Sequence, residues 1–425
     1  MNIGRIGLLV GVALAAVGAS APPSADLIVR GGTIYTGSDA PFVGDVAIEG
    51  DHIVEVAPHV VRAATRVIDA HGMIVAPGFI DPHTHMGDDL ASDDPAKRLI
   101  PMFLMQGVTT AFIGNDGGGE IDVGRVLASA QTRPVGINYA TYTGFGTIRQ
   151  RVIGEAKRAP SPQELGQMQA LVASAMCQGA IGLSTGLFYA PQSFSKTDEV
   201  VALAAEAGKR GGFYDSHIRD ESSYTVGLLA AIDEEIEIAR AAHIPAHVSH
   251  IKALGVDVQG QAPAVIARIA AARAAGLNIT ASQYPWSASG SSMVASLVPL
   301  WAQDGGRKAM LARFNDPAQA TRLRTDMAEN MRKRGGPTKL LITEGAERNR
   351  TLAKVAVATK PDPITAAIAV LPLRAPGVLS FNPSDAPLAP FIPPPSVMPD
   401  SPPSPRPSAP PTSHLPPPPP PPSPL

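Results

Sequence analysis

Residues 78–89 read GFIDPHTHMGDD and place two histidines, His83 and His85, one residue apart directly after an apolar run. In a β-strand, residues i and i+2 point to the same face, so a strand ending here sends both imidazoles to one side of a sheet. Two adjacent imidazoles favour a shared divalent metal ion; two surface histidines in a loop are the alternative. Ligands from other parts of the chain would decide between these two interpretations.

The composition is that of a globular protein. The chain has 425 residues, a formal net charge of −2, 44% hydrophobic residues and 17% charged residues. Because no basic run stands out, nucleic acid is not expected as a partner. The single cysteine, Cys177, cannot form an intramolecular disulfide, and its Ala/Gly-rich surroundings predict a small core residue rather than a nucleophile.

Residues 1–25 have the pattern of a secretory signal peptide. Arg5 gives a positive start, residues 6–17 are apolar, and residues 19–21 read ASA, a small-residue cleavage pattern. The apolar run is too short to span a membrane, and no later run of 18 apolar residues follows. We therefore expect an exported, periplasmic protein without a membrane segment in its mature form, cleaved after residue 21 or near Ala25.

Two kinds of pattern follow the leader. Residues 26–75 contain short strands separated by Gly and Asp turns, as in part of a small β-sandwich. From about residue 74 to residue 300, strands alternate with helical segments of 3.6-residue periodicity. The predicted strands are GMIVAPGFID (72–81), GVTTAFIGND (107–116), VGINYATYTG (135–144), GAIGLSTG (179–186), GGFYDSHI (211–218), IPAHVSH (244–250) and LNITASQYP (277–285).

Seven strands separated by helices predict an α/β fold, a TIM-like (β/α)8 barrel that needs an eighth strand, and a doubly wound sheet is the competing architecture. We assign the barrel to residues 76–404. Twenty-one of the 43 prolines fall in residues 383–425. Such a composition cannot form a packed core, so the C-terminal part of the barrel is expected to be incomplete and residues 405–425 to be a disordered tail.

In a β/α barrel the active site lies at the carboxyl ends of the strands. Polar side chains follow several of the predicted strands there, and alternation along the sixth strand places His250 on one face and His247 with Ser249 on the other. His250 is nearer the strand end and is therefore the better candidate. The predicted metal ligands are His83, His85, Asp116, His217 and His250.

Imidazole and carboxylate ligands suit Zn²⁺, with Mn²⁺ or Co²⁺ as alternatives. A metal ion at such a site lowers the pKa of a bound water toward about 7 and polarises a substrate carbonyl. Scattered structural histidines are the alternative interpretation, but their common position at strand ends favours a metal site.

Several segments resemble known sequences. PGFIDPHTHM (77–86) resembles the opening motif of the amidohydrolase superfamily. Residues 182–222, HVSHIKALG (247–255) and QYPWSASGSS (283–292) resemble its N-acyl-D-amino-acid deacylase, or D-aminoacylase, branch. The resemblance covers about residues 26–300 and continues more weakly to about residue 404.

The resemblance implies a zinc-dependent barrel with a small β-sandwich, acting on a small-molecule substrate. The implied reaction hydrolyses the amide of an N-acyl-D-amino acid and releases a carboxylate and the free D-amino acid. His83 and His85 match the histidine pair of the first strand, and His217 and His250 match the ligands on strands five and six. Four residues fall in segments near the family's substrate pocket: Tyr189, Arg219, Lys252 and Tyr284.

The chain departs from the family pattern at two places. Asp116 stands where the best-known members have a cysteine, which changes a soft ligand into a harder one. The Ser-Asp-Gly-like motif of the eighth strand, which carries the catalytic aspartate, falls on Ser401, Pro402 and Pro403. No catalytic acid or base is therefore assigned. A frameshift, a sequence error and a decaying gene all explain such an ending.

Two alternatives to a D-aminoacylase function remain open. One is an amidohydrolase acting on cyclic amides or dipeptides. Ser184 and Thr185, which stand where hydantoinase-like relatives place a modified lysine, count against the cyclic amide. The other is a truncated product that binds metal without catalysis.

Overall fold

The computed structural model describes residues 24–284, 286–359, 362–371, 376–381 and 397–399, of which Thr359 and residues 397–399 are described by their backbone alone. The predicted tail at residues 405–425 and the strand-eight positions Asp400, Pro402 and Pro403 lie outside the described residues, as does the predicted signal peptide up to residue 23. The chain divides into two compact units, residues 1–78 and residues 79–425. In the described part of the chain, no helix is both long enough and apolar enough to cross a membrane.

The first unit is one five-stranded sheet. Its strands are β1 (Ala25–Ile34), β2 (Phe42–Glu49), β3 (His52–Ala57), β4 (Ala64–Asp69) and β5 (Ile74–Val75). The strand order is β3-β2-β1-β4, and β5 pairs with the C-terminal end of β1, on Thr33 and Ile34. The pairs β1–β2 and β2–β3 are antiparallel, whereas β4 and β5 run parallel to β1.

A bulge interrupts β1 between Val29 and Gly32, and Gly31 there has a φ of 75°. Glycine tolerates this left-handed conformation without steric cost. The buried carboxylate of Asp45 accepts hydrogen bonds from the backbone N–H of Gly31 at 2.9 Å and of Val60 at 3.0 Å. Asp45 therefore holds the bulge and the chain beyond β3 in place.

The second unit contains the remaining strands. They are β6 (Phe79–Asp81), β7 (Val108–Ile113), β8 (Asn138–Thr141), β9 (Thr143–Gly144), β10 (Gly182–Gly186), β11 (Phe213–His217), β12 (Ala246–Val248), β13 (Ile279–Gln283), β14 (Ala288–Ser292), β15 (Leu340–Ile342), β16 (Gly377–Phe381) and β17 (Val397–Pro399).

Its helices lie between these strands. They are α1 (Gly87–Leu90), α2 (Pro95–Arg98), α3 (Pro101–Leu104), α4 (Val123–Thr132), α5 (Phe145–Val152), α6 (Pro162–Cys177), α7 (Thr197–Gly208), α8 (Leu228–Ala241), α9 (Ala262–Ala274), α10 (Met293–Leu297), α11 (Leu300–Gln303), α12 (Gly306–Phe314), α13 (Pro317–Lys333), α14 (Leu352–Thr359) and α15 (Pro363–Val370), with 3₁₀ turns at Gln192–Phe194, Val256–Val258 and Pro337–Lys339.

The parallel strands follow one another in chain order, β6-β7-β8 in one sheet and β9-β10-β11-β12-β13-β17 in the other. Only Tyr142 separates β8 from β9, so these two segments are halves of the third strand, and the strand order never reverses. This order is that of a (β/α)8 barrel, which confirms the predicted fold and excludes a doubly wound sheet. The eighth strand, β17, pairs in parallel with β13 from Ala281↔Val397 to Gln283↔Pro399. No pairing joins β17 to β6 within the residues that the structure describes.

Two predictions about local structure are wrong. The expected strand at residues 72–81 is two strands, β5 of the first unit and β6 of the second, because residues 76–78, with Pro77 and Gly78 among them, interrupt the pairing. Cys177 is exposed at the end of α6 rather than buried. It lies on the outer face of that helix, whereas Met168, Val172 and Ala175 face the core.

Helices α5 to α9 cover the barrel and share its main hydrophobic core, in which Leu183, Tyr214 and Val248 are fully buried. A second core lies between α10–α15 and an antiparallel sheet of order β14-β16-β15. This second layer brings β14 and the end of α13 to the barrel rim, beside the strand ends where the predicted ligands lie.

Candidate metal centre

His83 and His85 lie in the loop after β6, not in the strand itself. Their side chains still converge, because the residue between them is tied to the neighbouring strand. The Thr84 hydroxyl donates to the carbonyl oxygen of Phe112 at 2.7 Å, and the Thr84 N–H donates to Asn115 Oδ1 at 3.3 Å. The Nε2 atoms of His83 and His85 are then 3.1 Å apart.

Asp116 follows β7 in the left-handed conformation, with a φ of 56°. Its carboxylate lies 3.4 Å from Nε2 of His85 and 3.8 Å from Nε2 of His83. It also lies 3.8 Å from Nδ1 of His217 and 3.6 Å from Nε2 of His250. Asp116 is therefore shared by two groups of potential ligands, His83–His85–Asp116 and Asp116–His217–His250, and within each group the ligand atoms lie within 4.8 Å of one another.

His217 is the last residue of β11, and His250 lies two residues beyond β12 with a φ of 35°. Nδ1 of His217 and Nε2 of His250 are 3.0 Å apart. His247 belongs to neither group, since its Nδ1 is 2.7 Å from the hydroxyl of Thr280. The structure thus brings together all five residues that the sequence proposed as ligands.

The alternation assumed for the sixth strand is wrong for Ser249. Strand β12 ends at Val248, so the period of two no longer applies at the next residue. The Ser249 hydroxyl reaches inward to Nδ1 of His83 at 2.9 Å, on the same side as His250.

The donor atoms fit a divalent metal ion. Oδ1 of Asp116 is buried and has no hydrogen-bond partner among the described residues. A buried carboxylate oxygen without a partner is costly, and a cation coordinated at this position removes that cost. Imidazole nitrogens with a carboxylate oxygen are donors that suit zinc.

Electrostatics keep most of these groups in the form that binds metal. Burial lowers the pKa of His217 to about 3 and holds that of His83 well below its usual range. Burial would raise the pKa of Asp116, but the neighbouring imidazoles, His83 foremost, hold it well below its usual value. His250 differs: burial would lower its pKa, but the neighbouring carboxylates of Asp116 and Glu221 raise that pKa to about 9.

Glu221 is a buried residue of the site that the sequence analysis missed. Its carboxylate accepts a hydrogen bond from Lys252 Nζ at 2.5 Å and lies 3.2 Å from Nδ1 of His250 and 3.6 Å from Nε2 of His217. Burial would raise the pKa of Glu221, but the Lys252 ammonium together with His217 and His250 holds that pKa below its usual range. A carboxylate behind two ligating imidazoles orients them. The sequence did offer one indication of this role, since Glu221 follows the predicted ligand His217 by four residues.

The four predicted substrate residues do not all lie in one place. Tyr189, Lys252 and Tyr284 line a small cavity of about 20 Å³ beside the ligand groups. Arg219 lines a separate cavity of about 450 Å³, and its guanidinium is bound to both carboxylate oxygens of Glu234, each at 2.7 Å.

Arg334, at the end of α13, was also missed, and it lines the small cavity with only 3% of its surface exposed. Its Nε donates to the hydroxyl of Tyr224 at 2.6 Å. The chain offers no local signal for this placement, because a long insertion after β14 brings Arg334 back to the barrel rim.

The two cavities share Phe188. Its ring is stacked on that of His217, with 5.7 Å between the centroids, and meets the Tyr224 ring edge-on at 5.4 Å. Phe188 therefore forms part of the wall between the ligand groups and the larger cavity.

Comparisons with known proteins agree with this geometry. The chain is 32% identical over 293 residues to a D-aminoacylase of Alcaligenes xylosoxydans xylosoxydans, covering 63% of this chain and 59% of the relative. It is 30% identical over 292 residues to an N-acyl-D-glutamate deacylase of the same organism, covering 63% of this chain and 58% of that relative. The chain thus spans about three fifths of the length of these two curated relatives. No family model matches it.

A solved structure extends the likeness to the fold. The N-acyl-D-glutamate deacylase of Bordetella bronchiseptica, crystallised with zinc and a phosphonate inhibitor that mimics the tetrahedral intermediate, superimposes with a TM-score of 0.73. That match has 25% sequence identity and covers 89% of this chain and 76% of that chain. In sequence this chain is similar to D-aminoacylases and N-acyl-D-glutamate deacylases, and it shares the barrel fold of the solved deacylase structure.

Proposed function

We propose that this protein binds zinc and hydrolyses the amide bond of N-acyl-D-amino acids, releasing a carboxylate and a free D-amino acid. The observation that carries the proposal is the convergence of four imidazoles on the shared carboxylate Asp116, in a chain similar in sequence to D-aminoacylases. His83, His85, Asp116, His217 and His250 would hold the metal. When bound, the metal supplies a Lewis acid for the substrate carbonyl and an acidified water.

Tyr189 is placed to donate a hydrogen bond to the substrate carbonyl oxygen. Its hydroxyl lies 3.4 Å from Nδ1 of His217, at the edge of the ligand groups. Burial raises the pKa of Tyr189 well above its usual value, so the phenol keeps its proton at neutral pH. A buried neutral donor stabilises negative charge that develops on a carbonyl oxygen.

We place the carboxylate of an N-acyl amino acid against the two cations that line the small cavity. Lys252 lies 5.3 Å from the centroid of the Tyr284 ring, and Arg334 lines the same cavity. At about 20 Å³ this cavity cannot contain a whole acyl amino acid. We place the rest of the substrate beyond Phe188, in the cavity of about 450 Å³ in which Arg219 is a wall residue held by Glu234.

A second candidate function is metal binding with little catalysis. The observation that favours it is Pro402 at the position where the family pattern requires the catalytic aspartate. Proline can neither carry a proton nor bind metal. The position lies outside the described residues.

The test is to incubate the purified chain with zinc and a panel of N-acetyl-D-amino acids, and to measure release of the free amino acid. We expect release from D but not L substrates, abolished by a chelator, at a low rate. Faster hydrolysis of a cyclic amide or of a dipeptide would overturn the substrate assignment. Tight zinc binding with no detectable release under prolonged incubation would favour the second candidate.

We also propose that residues 1–25 direct export to the periplasm and are removed. The support is the sequence pattern of a positive start, an apolar core and a small-residue site.

A further inference from the structure

A network of buried, hydrogen-bonded polar groups contacts Nδ1 of His83, on the side of the ring away from the other ligands. This nitrogen is 2.9 Å from the hydroxyl oxygen of Ser249, and that hydroxyl donates to Oδ1 of Asp215 at 2.6 Å. His83, Ser249 and Asp215 are each 0% exposed. Solvent therefore cannot replace any of these partners.

The direction of the hydrogen bonds follows from counting protons. A serine hydroxyl has one proton, and Ser249 donates it to Asp215. The oxygen of Ser249 can therefore only accept, so His83 must carry its proton on Nδ1. The lone pair of a neutral His83 is then on Nε2, the atom that faces His85 at 3.1 Å and Asp116 at 3.8 Å.

Asp215 is itself fixed by the loop that carries Asp116. Its Oδ2 accepts from Asn115 Nδ2 at 3.0 Å, and the same amide nitrogen donates to the carbonyl oxygen of Pro82 at 3.1 Å. Both oxygens of Asp215 thus accept hydrogen bonds, and it belongs to neither ligand group. The network connects the segments after β6, β7 and β12 to β11.

We propose that Ser249 and Asp215 are positioning residues that hold His83 in the Nδ1–H tautomer, with Nε2 free to bind metal. This inference rests on the proposed metal site, but the tautomer can be measured without metal. Partners behind a metal-binding histidine typically change metal affinity by 10- to 100-fold.

The decisive variant is Asp215→Asn, because it preserves shape but reverses the network. The only carboxamide oxygen must accept from Asn115, so the new NH₂ group donates to Ser249. Ser249 then turns its proton toward His83 Nδ1 and forces the Nε2–H tautomer, which blocks the metal-facing nitrogen. A second variant, Ser249→Ala, removes the acceptor altogether.

The matched control is Thr280→Val. It removes a partly buried hydroxyl that lies 2.7 Å from Nδ1 of His247, a histidine outside the ligand groups, and it preserves side-chain shape. Any change in this variant therefore reflects the effect of losing a hydroxyl on folding stability, separate from metal binding.

Zinc affinity of the full chain at pH 8 is measured by chelator competition, and the histidine tautomers of the metal-free chain by ¹⁵N NMR, with the His83 signal assigned from His83→Gln. We expect Asp215→Asn and Ser249→Ala to bind zinc at least about tenfold more weakly than the wild type, with Thr280→Val unchanged. The wild type should show His83 as Nδ1–H and Asp215→Asn should show Nε2–H.

Wild-type affinity in Asp215→Asn, or an Nε2–H tautomer in the wild type, would overturn the inference. Absence of zinc binding by the wild type would overturn the proposed function instead, and the NMR result would still decide the tautomer. If Ser249→Ala does not fold, the Asp215→Asn comparison alone decides the outcome.

Discussion

At the scale of single residues, Asp116 connects the two groups of potential ligands. A carboxylate has two oxygens, and here Oδ2 faces His85 while Oδ1 faces His83, His217 and His250. Its left-handed φ of 56° turns the side chain toward all four imidazoles. A carboxylate in this position offers harder oxygen donors than a thiolate would, which broadens the range of acceptable metals from zinc toward manganese and cobalt.

Replacement of His217 and His250 together by Ala should remove metal from the protein. We expect about one tightly bound zinc per wild-type chain, measured by elemental analysis after purification without chelator, and none in the double variant. Zinc at 100 times its dissociation constant stabilises the folded chain by about 2.7 kcal/mol, so the variant should also lose the zinc-dependent rise in melting temperature.

The control for this change is His247→Ala. His247 is as buried as His217 and His250 but pairs with Thr280, so its removal should lower stability and leave the zinc content unchanged. Equal zinc in wild type and double variant would contradict the metal assignment.

At the scale of elements, the bulge in β1 depends on one buried carboxylate. Burial acts to raise the pKa of Asp45, but the N–H groups of Val60 and Gly31 and the charge of Arg30 hold it below its usual value of 3.8. A carboxylate with a lowered pKa stabilises the fold fully at pH values above 3.8, and this contribution is lost as the pH falls through the folded-state pKa.

Replacement of Asp45 by Asn leaves one acceptor oxygen for two backbone donors. We expect the free energy of unfolding of the first unit to fall by about 1–3 kcal/mol at pH 7. The difference from wild type should shrink below about pH 3.8, as the wild-type carboxylate becomes protonated. Hydrogen exchange of the Gly31 and Val60 amides measures this loss locally. Asp39→Asn, at an exposed turn, is the control, and equal amide protection in all three proteins would exclude the role of Asp45.

At the scale of the whole molecule, the eighth strand determines whether the site is catalytically complete. Strand β17 begins in register on β13, and its next residues are Asp400, Ser401, Pro402 and Pro403. Proline lacks the N–H that a central parallel strand needs, and Pro402 supplies no acid or base. A positioned acid/base typically contributes 10²–10⁴-fold to the rate, so an amide hydrolase without one should be slow.

We therefore expect the 425-residue chain to release amino acids from N-acetyl-D-amino acids about 10²–10⁴-fold more slowly than a form with a functional aspartate at position 402. The measurement compares the wild type with a Pro402→Asp, Pro403→Gly variant at equal zinc occupancy, after circular dichroism shows that both are folded. Turnover by the unmodified chain at ordinary enzymatic rates, abolished by a chelator, would contradict this expectation.

The proposed export concerns the chain as a whole and can be tested directly. Mass spectrometry of the protein recovered from the periplasm should find its N-terminus between about residues 22 and 26, a typical length for a removed signal. Recovery of cytoplasmic protein beginning at Met1, with none in the periplasm, would contradict the proposed export.

The sequence by itself determined the barrel, the resemblance to D-aminoacylases and the candidate ligands, because each depends on patterns within a short stretch. Strand and helix periods follow from local spacing, and strand ends in a parallel barrel meet at one face wherever they lie in the chain. Prediction from the sequence failed where the chain leaves regular secondary structure. Strand pairing is interrupted at residues 76–78, and the alternation of side chains ends after Val248. At both places the backbone leaves the extended conformation that a two-residue repeat of side chains assumes.

Only the tertiary structure decided which polar groups support the ligands. Ser249 meets His83 across 166 positions of sequence, and Asn115 meets Asp215 across 100. Arg334 reaches the cavity through an insertion, while Arg219, close to His217 in sequence, is bound to Glu234 instead. Buried polar groups must find partners wherever the fold places them, so their roles depend on long-range packing that no local pattern of residues encodes.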